Sequence, residues 1–445
     1  MKLVSKKPAS ALRGELTPPG DKSISHRSLI FASLASGDSK IRGLLVSADV
    51  DATASACQQL GAEIHRTGQG AGMLVTVRGT GGEGLNPPTQ ALDMGNSGTA
   101  MRLLAGVLAA QPFDSELTGD VSLSRRPMRR ILQPLALMGA TISATENGTA
   151  PLHIKGNTHL QGIDYTLPVA SAQIKSCILL AGLFAAGRTC VTEPGKSRDH
   201  TERMLPVFGV DVTDPCCVIG GSKLRAADLD VPADISSAAF FMVAAAIVPG
   251  SEVLLRNVGI NPTRDGIVRV MQAMGADIEI QRPRQFGEEP VADIRVRYHD
   301  ALKAMDIPED WVPSLIDELP IIMILATCAD GVTRIRGAEE LRVKESDRIA
   351  VMARGLQILG VRLQEYSDGI DIQGGQLNGG EVDGEGDHRC AMSFCIAGQI
   401  ASSTVRVDGA SHINTSYPEF VSHLQNIGGL VEGVPANAPD RSARD

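Results

Sequence analysis

Aromatic residues are scarce in this chain: they make up 3% of its 445 residues, and there is a single Trp. The core must therefore be built from Ala, Val, Ile, Leu and Met, which is consistent with an apolar fraction of 43%. Charged residues are ordinary at 21%. These fractions exclude a fibrous or globally disordered protein.

The chain also lacks any run of five or more Lys or Arg, and its formal net charge is −9. A protein that binds nucleic acid is typically basic or carries a basic stripe, and an anionic membrane attracts the same kind of surface. We therefore expect neither partner. A small anion held in a local basic pocket is still compatible with this charge.

Cys-x-x-Cys pairs are absent, and most of the eight cysteines stand in apolar surroundings. We expect them to be small buried side chains in a reduced compartment. No spaced His/Cys set indicates a metal. No stretch of about 18 uncharged apolar residues indicates a membrane span, and the first residues, MKLVSKK, lack the apolar core of a signal peptide. We expect a cytoplasmic protein.

One pattern occurs six times: a helix-like run ends in an apolar residue, and a Gly and the start of a strand follow. Successive glycines are separated by 78, 70, 66, 85 and 68 residues. Each Gly is predicted to end its helix in a left-handed conformation. The six are Gly61, Gly139, Gly209, Gly275, Gly360 and Gly428.

An Ala-, Leu- and Ile-rich helix followed by a β-rich run precedes each of these glycines. The predicted helices are 25–36, 99–110, 173–186, 236–248, 318–329 and 389–400, and the β-rich runs are 39–45, 115–118, 189–192, 252–258, 333–336 and 404–407. The helices are apolar on nearly every side, which predicts that they are buried. Alternating helices and strands indicate an α/β or α+β fold, and six such units favour two lobes of three.

Polar and basic residues cluster where these helices start and in the turns after the following strands. A helix N-terminus offers free N–H groups and a partial positive charge, so it attracts anions. A single Ser or Asp there is ordinarily a cap, and a single Lys or Arg is ordinarily solvated. Their recurrence in six repeats favours a cationic cleft for substrates that carry phosphate and carboxylate groups. The segment 14–22 is not a Walker A loop, because Asp21 separates Gly20 from Lys22 and two prolines intervene.

At these residues the chain resembles the EPSP synthases, the 3-phosphoshikimate 1-carboxyvinyltransferases. Four motifs carry the resemblance, occur in the family's order and span nearly the whole chain: PGDKSISHR at 19–27, GNSGTAMR at 95–102, RVKESDR at 342–348 and DHR at 387–389.

The resemblance implies a two-lobed, inside-out α/β barrel in which each lobe has three βαβαββ repeats around buried helices. One lobe is then 21–236, and the other combines 1–20 with 237–433. The cleft lies between the lobes. The Pro- and Ala-rich tail, 434–445, is expected to be disordered.

The resemblance also implies the site. The residues expected to bind shikimate 3-phosphate are Lys22, Ser23, Arg27, Ser171, Ala172, Gln173, Arg198, Asp317 and Lys344. Those expected to bind phosphoenolpyruvate are Lys22, Gly98, Arg126, Gln173, Arg348 and Arg389. Asp317 is expected to take the proton of the 5-hydroxyl, and Glu345 and Lys22 to handle the proton at C3. No metal or organic cofactor is implied, and a monomer is expected.

Three departures from the common pattern, together with Ile316-Asp317-Glu318, resemble a divergent subgroup that includes glyphosate-tolerant bacterial enzymes. The departures are Ser171-Ala172-Gln173, Arg198, and Thr415 in place of a Lys. Tolerance in that subgroup goes with Ala at the position of Gly98, so this chain is expected to be inhibited by glyphosate. Two alternatives stay open. One is an enolpyruvyl transferase of the same fold that acts on a UDP-sugar, which Ser23 after Lys22 disfavours. The other is a non-catalytic anion-binding protein.

Overall fold

The computed structural model describes residues 1–68, 72–82 and 84–434. The tail expected to be disordered falls outside this range, except for Val434, whose backbone pairs with Lys2 at the end of a strand. The fold is mixed α/β, as expected.

The described residues form thirteen α-helices. They are α1 Lys22–Leu34, α2 Ala48–Gln59, α3 Gly98–Leu108, α4 Arg129–Leu137, α5 Ala172–Gly182, α6 His200–Val207, α7 Ile235–Ile247, α8 Gly266–Ala273, α9 Val312–Leu315, α10 Leu319–Thr327, α11 Arg348–Ile358, α12 His388–Ala397 and α13 Phe420–Asn426.

The same residues form twenty-two strands. They are β1 Lys2–Lys6, β2 Arg13–Leu16, β3 Ser36–Arg42, β4 Glu63–Thr67, β5 Leu74–Thr80, β6 Leu92–Asp93, β7 Ser115–Thr118, β8 Thr141–Ser143, β9 Leu152–Lys155, β10 Asp164–Thr166, β11 Arg188–Thr192, β12 Cys217–Ile219, β13 Leu229–Asp230, β14 Glu252–Gly259, β15 Asp277–Phe286, β16 Glu289–Arg297, β17 Val332–Ile335, β18 Leu363–Tyr366, β19 Gly369–Gln373, β20 Gly380–Asp383, β21 Val405–Asp408 and β22 Leu430–Val434.

The chain divides into two compact units. The N-terminal unit comprises Pro19–Ala233 together with Arg284–Val291, and the C-terminal unit comprises Met1–Pro18, Asp234–Pro283 and the chain from Ala292 onwards. Three sheets have the strand orders β13-β3-β5-β4, β6-β7-β9-β8 and β10-β11-β12, and three have the orders β15-β16-β14-β2, β17-β19-β18 and β20-β21-β1-β22.

The six predicted apolar helices are present as α1, α3, α5, α7, α10 and α12, with bounds shifted by a few residues. Every residue of α7 and of α10 is buried. The six repeat glycines all have φ between 80° and 106°, which confirms the predicted left-handed helix ends. Each glycine lets the chain reverse from an outer helix into the next strand.

Two buried helices approach closely at Gly106. A Cβ atom at this position of α3 would lie 2.2 Å from the carbonyl oxygen of Cys177 in α5. Because no L side chain fits that gap, Gly106 sets the distance between the two helices.

The cysteine prediction is partly wrong. Cys190 and Cys217 form a disulfide, although all eight cysteines were expected to be free buried side chains. The reason is register: the two residues are directly opposite each other on the antiparallel strands β11 and β12, with their Cα atoms 4.1 Å apart. Five of the other six are buried, and Cys328 is partly exposed.

No helix among the described residues is both long and apolar enough to span a bilayer.

Candidate active site

The predicted site residues of the N-terminal unit gather around the starts of α1, α3 and α5; we call this group the N-terminal cluster. The carboxylate of Asp21 caps α1 by accepting the backbone N–H of Ile24 at 2.8 Å. Lys22 follows directly, and its Nζ lies 2.5 Å from Oδ2 of Asp49. Asp49 is almost fully buried in the first turn of α2. The ammonium group is therefore held at the start of α1.

Arg27 lies one turn further along α1 and is buried. Its Nε donates to Oγ1 of Thr201 at 2.8 Å, and its Nη2 donates to Oγ of Ser176 at 2.7 Å. Its Nη1 donates to the carbonyl oxygen of Ser23 at 3.0 Å. Burial lowers the pKa of Arg27 to about 10, so the guanidinium group is still charged at neutral pH.

His26 connects α1 to the start of α3. Its Nδ1 lies 2.7 Å from Oγ1 of Thr53, and its Nε2 lies 3.3 Å from Oγ of Ser97. Ser97 in turn caps α3 by accepting the N–H of Ala100 at 3.1 Å. Burial, with the nearby charge of Lys22, holds the pKa of His26 well below its ordinary value of 6.5. The imidazole is neutral at working pH and acts as a structural link.

Two arginines lie against Gly98, the first residue of α3. Nη2 of Arg126 donates to Oδ1 of Asn96 at 2.5 Å, and Nη1 of Arg102 donates to Oε1 of Gln173 at 2.5 Å. A Cβ atom on Gly98 would lie 2.8 Å from Nη1 of Arg102 and 3.4 Å from Nη1 of Arg126. The missing side chain is what allows both guanidinium groups to approach the helix start.

The remaining members of the N-terminal cluster lie at the start of α5 and in the loop before α6. Ser171 precedes α5, Ala172 is its first residue, and the side-chain amide of Gln173 donates to Oγ1 of Thr99 at 3.0 Å. Arg198 lies in the loop between β11 and α6 and is half-buried. All the predicted residues of this unit thus belong to three helix starts and two loops, one between β7 and α4 with Arg126 and one between β11 and α6 with Arg198.

The predicted residues of the C-terminal unit surround the buried guanidinium group of Arg348; we call them the Arg348 cluster. Nε of Arg348 lies 2.7 Å from Oδ2 of Asp387, Nη1 lies 3.1 Å from Oδ1 of Asp317, and Nη2 lies 2.6 Å from Oε2 of Glu345. Burial alone lowers the pKa of Arg348, but the three carboxylates outweigh it and leave the pKa well above its ordinary value. This cation is permanent.

Arg389 and Lys344 flank the Arg348 cluster. Nη1 of Arg389 donates to the carbonyl oxygen of Asp317 at 3.2 Å. Nζ of Lys344 lies 3.0 Å from Oε1 of Glu340 and 3.8 Å from Oδ1 of Asp317. The carboxylate of Asp317 therefore lies beside two basic side chains, those of Arg348 and Lys344, and its backbone carbonyl accepts from a third, that of Arg389.

The structure adds four residues that the sequence did not single out as site residues. Asp49 binds Lys22, Asn96 holds Arg126, Arg102 holds Gln173, and Asp387 binds Arg348. Three of them stand inside motifs already noted, which was an available signal. Asp49 has no such signal, because only the packing of α2 against α1 brings it to Lys22.

One group of possible metal ligands occurs among the residues that the structure describes: Asp199, His200 and Glu289. Nδ1 of His200 lies 2.7 Å from Oε1 of Glu289, and Nε of Arg203 lies 2.9 Å from Oδ2 of Asp199. These contacts give each of the three side chains a protein partner.

The geometry defines a mixed α/β protein that presents fixed cations and adjacent carboxylates at the starts of buried helices. This combination suits an enzyme that binds phosphate and carboxylate groups and moves protons beside them.

Comparison with known proteins identifies the family. The family model described as EPSP synthase (3-phosphoshikimate 1-carboxyvinyltransferase) matches residues 6–424. The 3-phosphoshikimate 1-carboxyvinyltransferase of Methylococcus capsulatus is 54% identical over 95% of this chain and 96% of its own, and that of Halorhodospira halophila is 55% identical over 96% of each. A solved EPSP synthase from Acinetobacter baumannii superposes with a TM-score of 0.86 at 49% identity and covers 97% of this chain and 99% of its own.

The chain belongs to the EPSP synthase family. It has 3-phosphoshikimate 1-carboxyvinyltransferase activity, a step of the shikimate pathway.

The ion pairs of Arg348 predict a large stability effect. Replacing the arginine in R348Q leaves three carboxylates without their shared cation, so we expect the free energy of unfolding to fall by about 3–5 kcal/mol. Urea denaturation measures this. The matched control is R354Q on the same helix, whose partner Glu385 is exposed; there we expect less than about 1 kcal/mol. Equal losses in the two variants would contradict the prediction.

The lowered pKa of His26 predicts a pH dependence of stability. Below pH 6.5 the unfolded chain binds a proton at His26 while the folded protein does not, so folding becomes less favourable as the pH falls. In H26Q, which keeps hydrogen-bonding groups, we expect the loss of unfolding free energy from about pH 7.5 to about pH 5 to be smaller by about 2 kcal/mol. The exposed His153 provides the control H153Q, which should follow the wild-type curve.

Proposed function

We propose that the N-terminal cluster and the Arg348 cluster both serve one reaction, the transfer of the enolpyruvyl group of phosphoenolpyruvate to the 5-hydroxyl of shikimate 3-phosphate. The products are 5-enolpyruvylshikimate 3-phosphate and phosphate. Fixed guanidinium groups in both units support this assignment, because each substrate carries both a phosphate and a carboxylate.

Shikimate 3-phosphate is assigned mainly to the N-terminal cluster. Its proposed ligands there are Lys22, Ser23, Arg27, Ser171, Ala172, Gln173 and Arg198, and the C-terminal unit adds Asp317 and Lys344. The buried hydrogen bonds of Arg27 support this role, since they hold a charged group in place before a ligand arrives.

Phosphoenolpyruvate is assigned to Arg126, Arg348 and Arg389, with Lys22, Gly98 and Gln173 beside them. Each of these arginines is held by protein oxygens. A guanidinium group held in this way can bind two oxygens of a phosphate or a carboxylate with two parallel hydrogen bonds. The clamp aligns the substrate and stabilises the charge that develops during the reaction.

The reaction needs a base at the 5-hydroxyl and an acid at C3 of phosphoenolpyruvate. Attack at C2 gives a tetrahedral intermediate, and loss of a C3 proton and of phosphate regenerates the enol ether. We assign the base to Asp317 and the proton at C3 to Glu345 and Lys22. Asp317 and Glu345 both contact the guanidinium group of Arg348, so one side chain positions the two carboxylates.

The proposal includes the finer architecture that the resemblance implies. Each lobe would be an inside-out α/β barrel of three βαβαββ repeats, with one lobe at 21–236 and the other at 1–20 and 237–433. The succession of helix, strand and helix before each repeat glycine, with a strand after it, supports it. The divergent subgroup, the cytoplasmic location and the monomeric state stay predictions from the sequence.

The observation that carries the proposal is the set of three carboxylates and two arginines gathered at Arg348. An assay of phosphate release in the presence of both shikimate 3-phosphate and phosphoenolpyruvate tests it. A transferase that acts on a UDP-sugar would release phosphate with that sugar alone. A non-catalytic anion-binding protein would release none with either acceptor.

The proton assignment predicts different defects in two variants. In E345Q we expect exchange of solvent deuterium into C3 of phosphoenolpyruvate to slow by about 100-fold or more, because Gln keeps the hydrogen bond to Arg348 and loses the proton. D317N should lose turnover by a similar factor. The control is E385Q, which changes an exposed carboxylate that also pairs with an arginine. Undiminished exchange in E345Q would refute the assignment of Glu345.

Gly98 predicts inhibition by glyphosate. The inhibitor is longer than phosphoenolpyruvate, and the absence of a side chain at Gly98 is expected to leave room for it. In G98A the new methyl group would press on Arg102 and Arg126, so we expect the inhibitory concentration to rise about tenfold or more. The control G375A adds a methyl group in open space and should behave as wild type. Wild-type activity unaffected by about millimolar glyphosate at limiting phosphoenolpyruvate would overturn this prediction.

A further inference from the structure

Lys175 is a buried cation whose role the proposed reaction leaves open. It lies in the first half of α5, two residues after Gln173, and 2% of its surface is exposed. Its Nζ lies 2.8 Å from Oε1 of Glu193 and 2.5 Å from Oε1 of Glu202. Burial by itself lowers the pKa of Lys175, but the two carboxylates outweigh it and the pKa is raised. The ammonium group is therefore charged.

Glu193 links Lys175 to the loop that contains Arg198. Its Oε1 accepts the backbone N–H of Ser197 at 3.1 Å, and its Oε2 accepts the hydroxyl of Ser197 at 2.6 Å. Ser197 is buried and directly precedes Arg198. One carboxylate thus holds the loop by two hydrogen bonds, and Lys175 holds that carboxylate.

Glu202, the second partner of Lys175, lies in the first turn of α6. The same turn contains Thr201, whose hydroxyl accepts from Arg27 and lies 2.7 Å from the hydroxyl of Ser176. Lys175 therefore binds both ends of the segment 193–202, one end through Glu193 and the other through Glu202. Arg198 lies between these two attachments.

We propose that Lys175 is a positioning residue for shikimate 3-phosphate: through Glu193 and Ser197 it fixes the loop that presents Arg198 to this substrate. The inference rests on the proposed role of Arg198. It goes beyond that role because Lys175 itself does not touch the substrate. A purely structural lysine would stabilise the unit without acting through Arg198, and this difference can be tested.

The test is a double-mutant cycle on the affinity for shikimate 3-phosphate, measured by titration calorimetry with K175M, R198Q and the double variant. K175M should weaken binding about 10- to 100-fold, because a displaced loop misplaces Arg198. In the R198Q background, K175M should weaken the binding of shikimate 3-phosphate no more than about twofold, because the effects of substitutions within one network are not additive. K175R, which keeps the charge, should recover most of the affinity.

Steady-state kinetics and unfolding give the accompanying readouts. In K175M the KM for shikimate 3-phosphate should rise more than kcat falls, while the KM for phosphoenolpyruvate stays within about threefold. The variant E202Q removes one of the two attachments but keeps the link from Lys175 through Glu193 to Ser197, so it should weaken binding less than K175M does. Urea denaturation of each variant reports any loss of stability separately.

Three results would overturn the inference: wild-type affinity in K175M, equal weakening by K175M with and without Arg198, or wild-type affinity in R198Q. If K175M does not fold, S197A replaces it in the test. This variant removes the hydrogen bond from the hydroxyl of Ser197 to Glu193 and should weaken binding only when Arg198 is present. Wild-type turnover of the two substrates tests the function independently. If the wild type turns over both substrates but K175M binds shikimate 3-phosphate normally, only this inference is refuted. If the wild type shows no turnover, the proposed function is refuted.

Discussion

Six helices that are apolar on almost every side impose the constraint on which the rest of this protein depends. Such a helix cannot present a polar face to water, so its sides are closed by other helices and by sheets. Its N-terminus is the place where polar groups remain possible, and there the free N–H groups favour anions. Chemistry is thus restricted to helix starts and to the loops that meet them, where Lys22, Gly98, Gln173 and Arg389 lie.

A second consequence is that the basic side chains are held in place before a substrate binds. A long basic side chain in water loses rotamer freedom when it binds a ligand. Here, Arg27 is fixed by two hydroxyls and a carbonyl oxygen, and Arg348 is fixed by three carboxylates. The entropy of ordering these side chains is therefore lost on folding, and binding does not have to supply it.

Features that depend on neighbouring residues in the chain could be predicted from the sequence. The helix ends at Gly61, Gly139 and their four counterparts depend on a conformation that glycine adopts readily, and burial of α7 follows from its own composition. Contacts between distant segments could not be read in this way. The pairing of Cys190 with Cys217 depends on strand register across an intervening helix, and the pairing of Lys22 with Asp49 depends on how α2 packs. Charge partners of this kind are determined by tertiary structure.

The position of β1 has a consequence for synthesis. This first strand lies between β21 and β22, with Leu3 opposite Val407 on one side and Gly433 on the other. The ribosome makes β1 well before its two neighbours, which follow only after some four hundred further residues. The N-terminal unit, formed mainly from one continuous stretch, can fold during translation. β1 stays without its two neighbours until β21 and β22 have been made, so its sheet is completed late in synthesis.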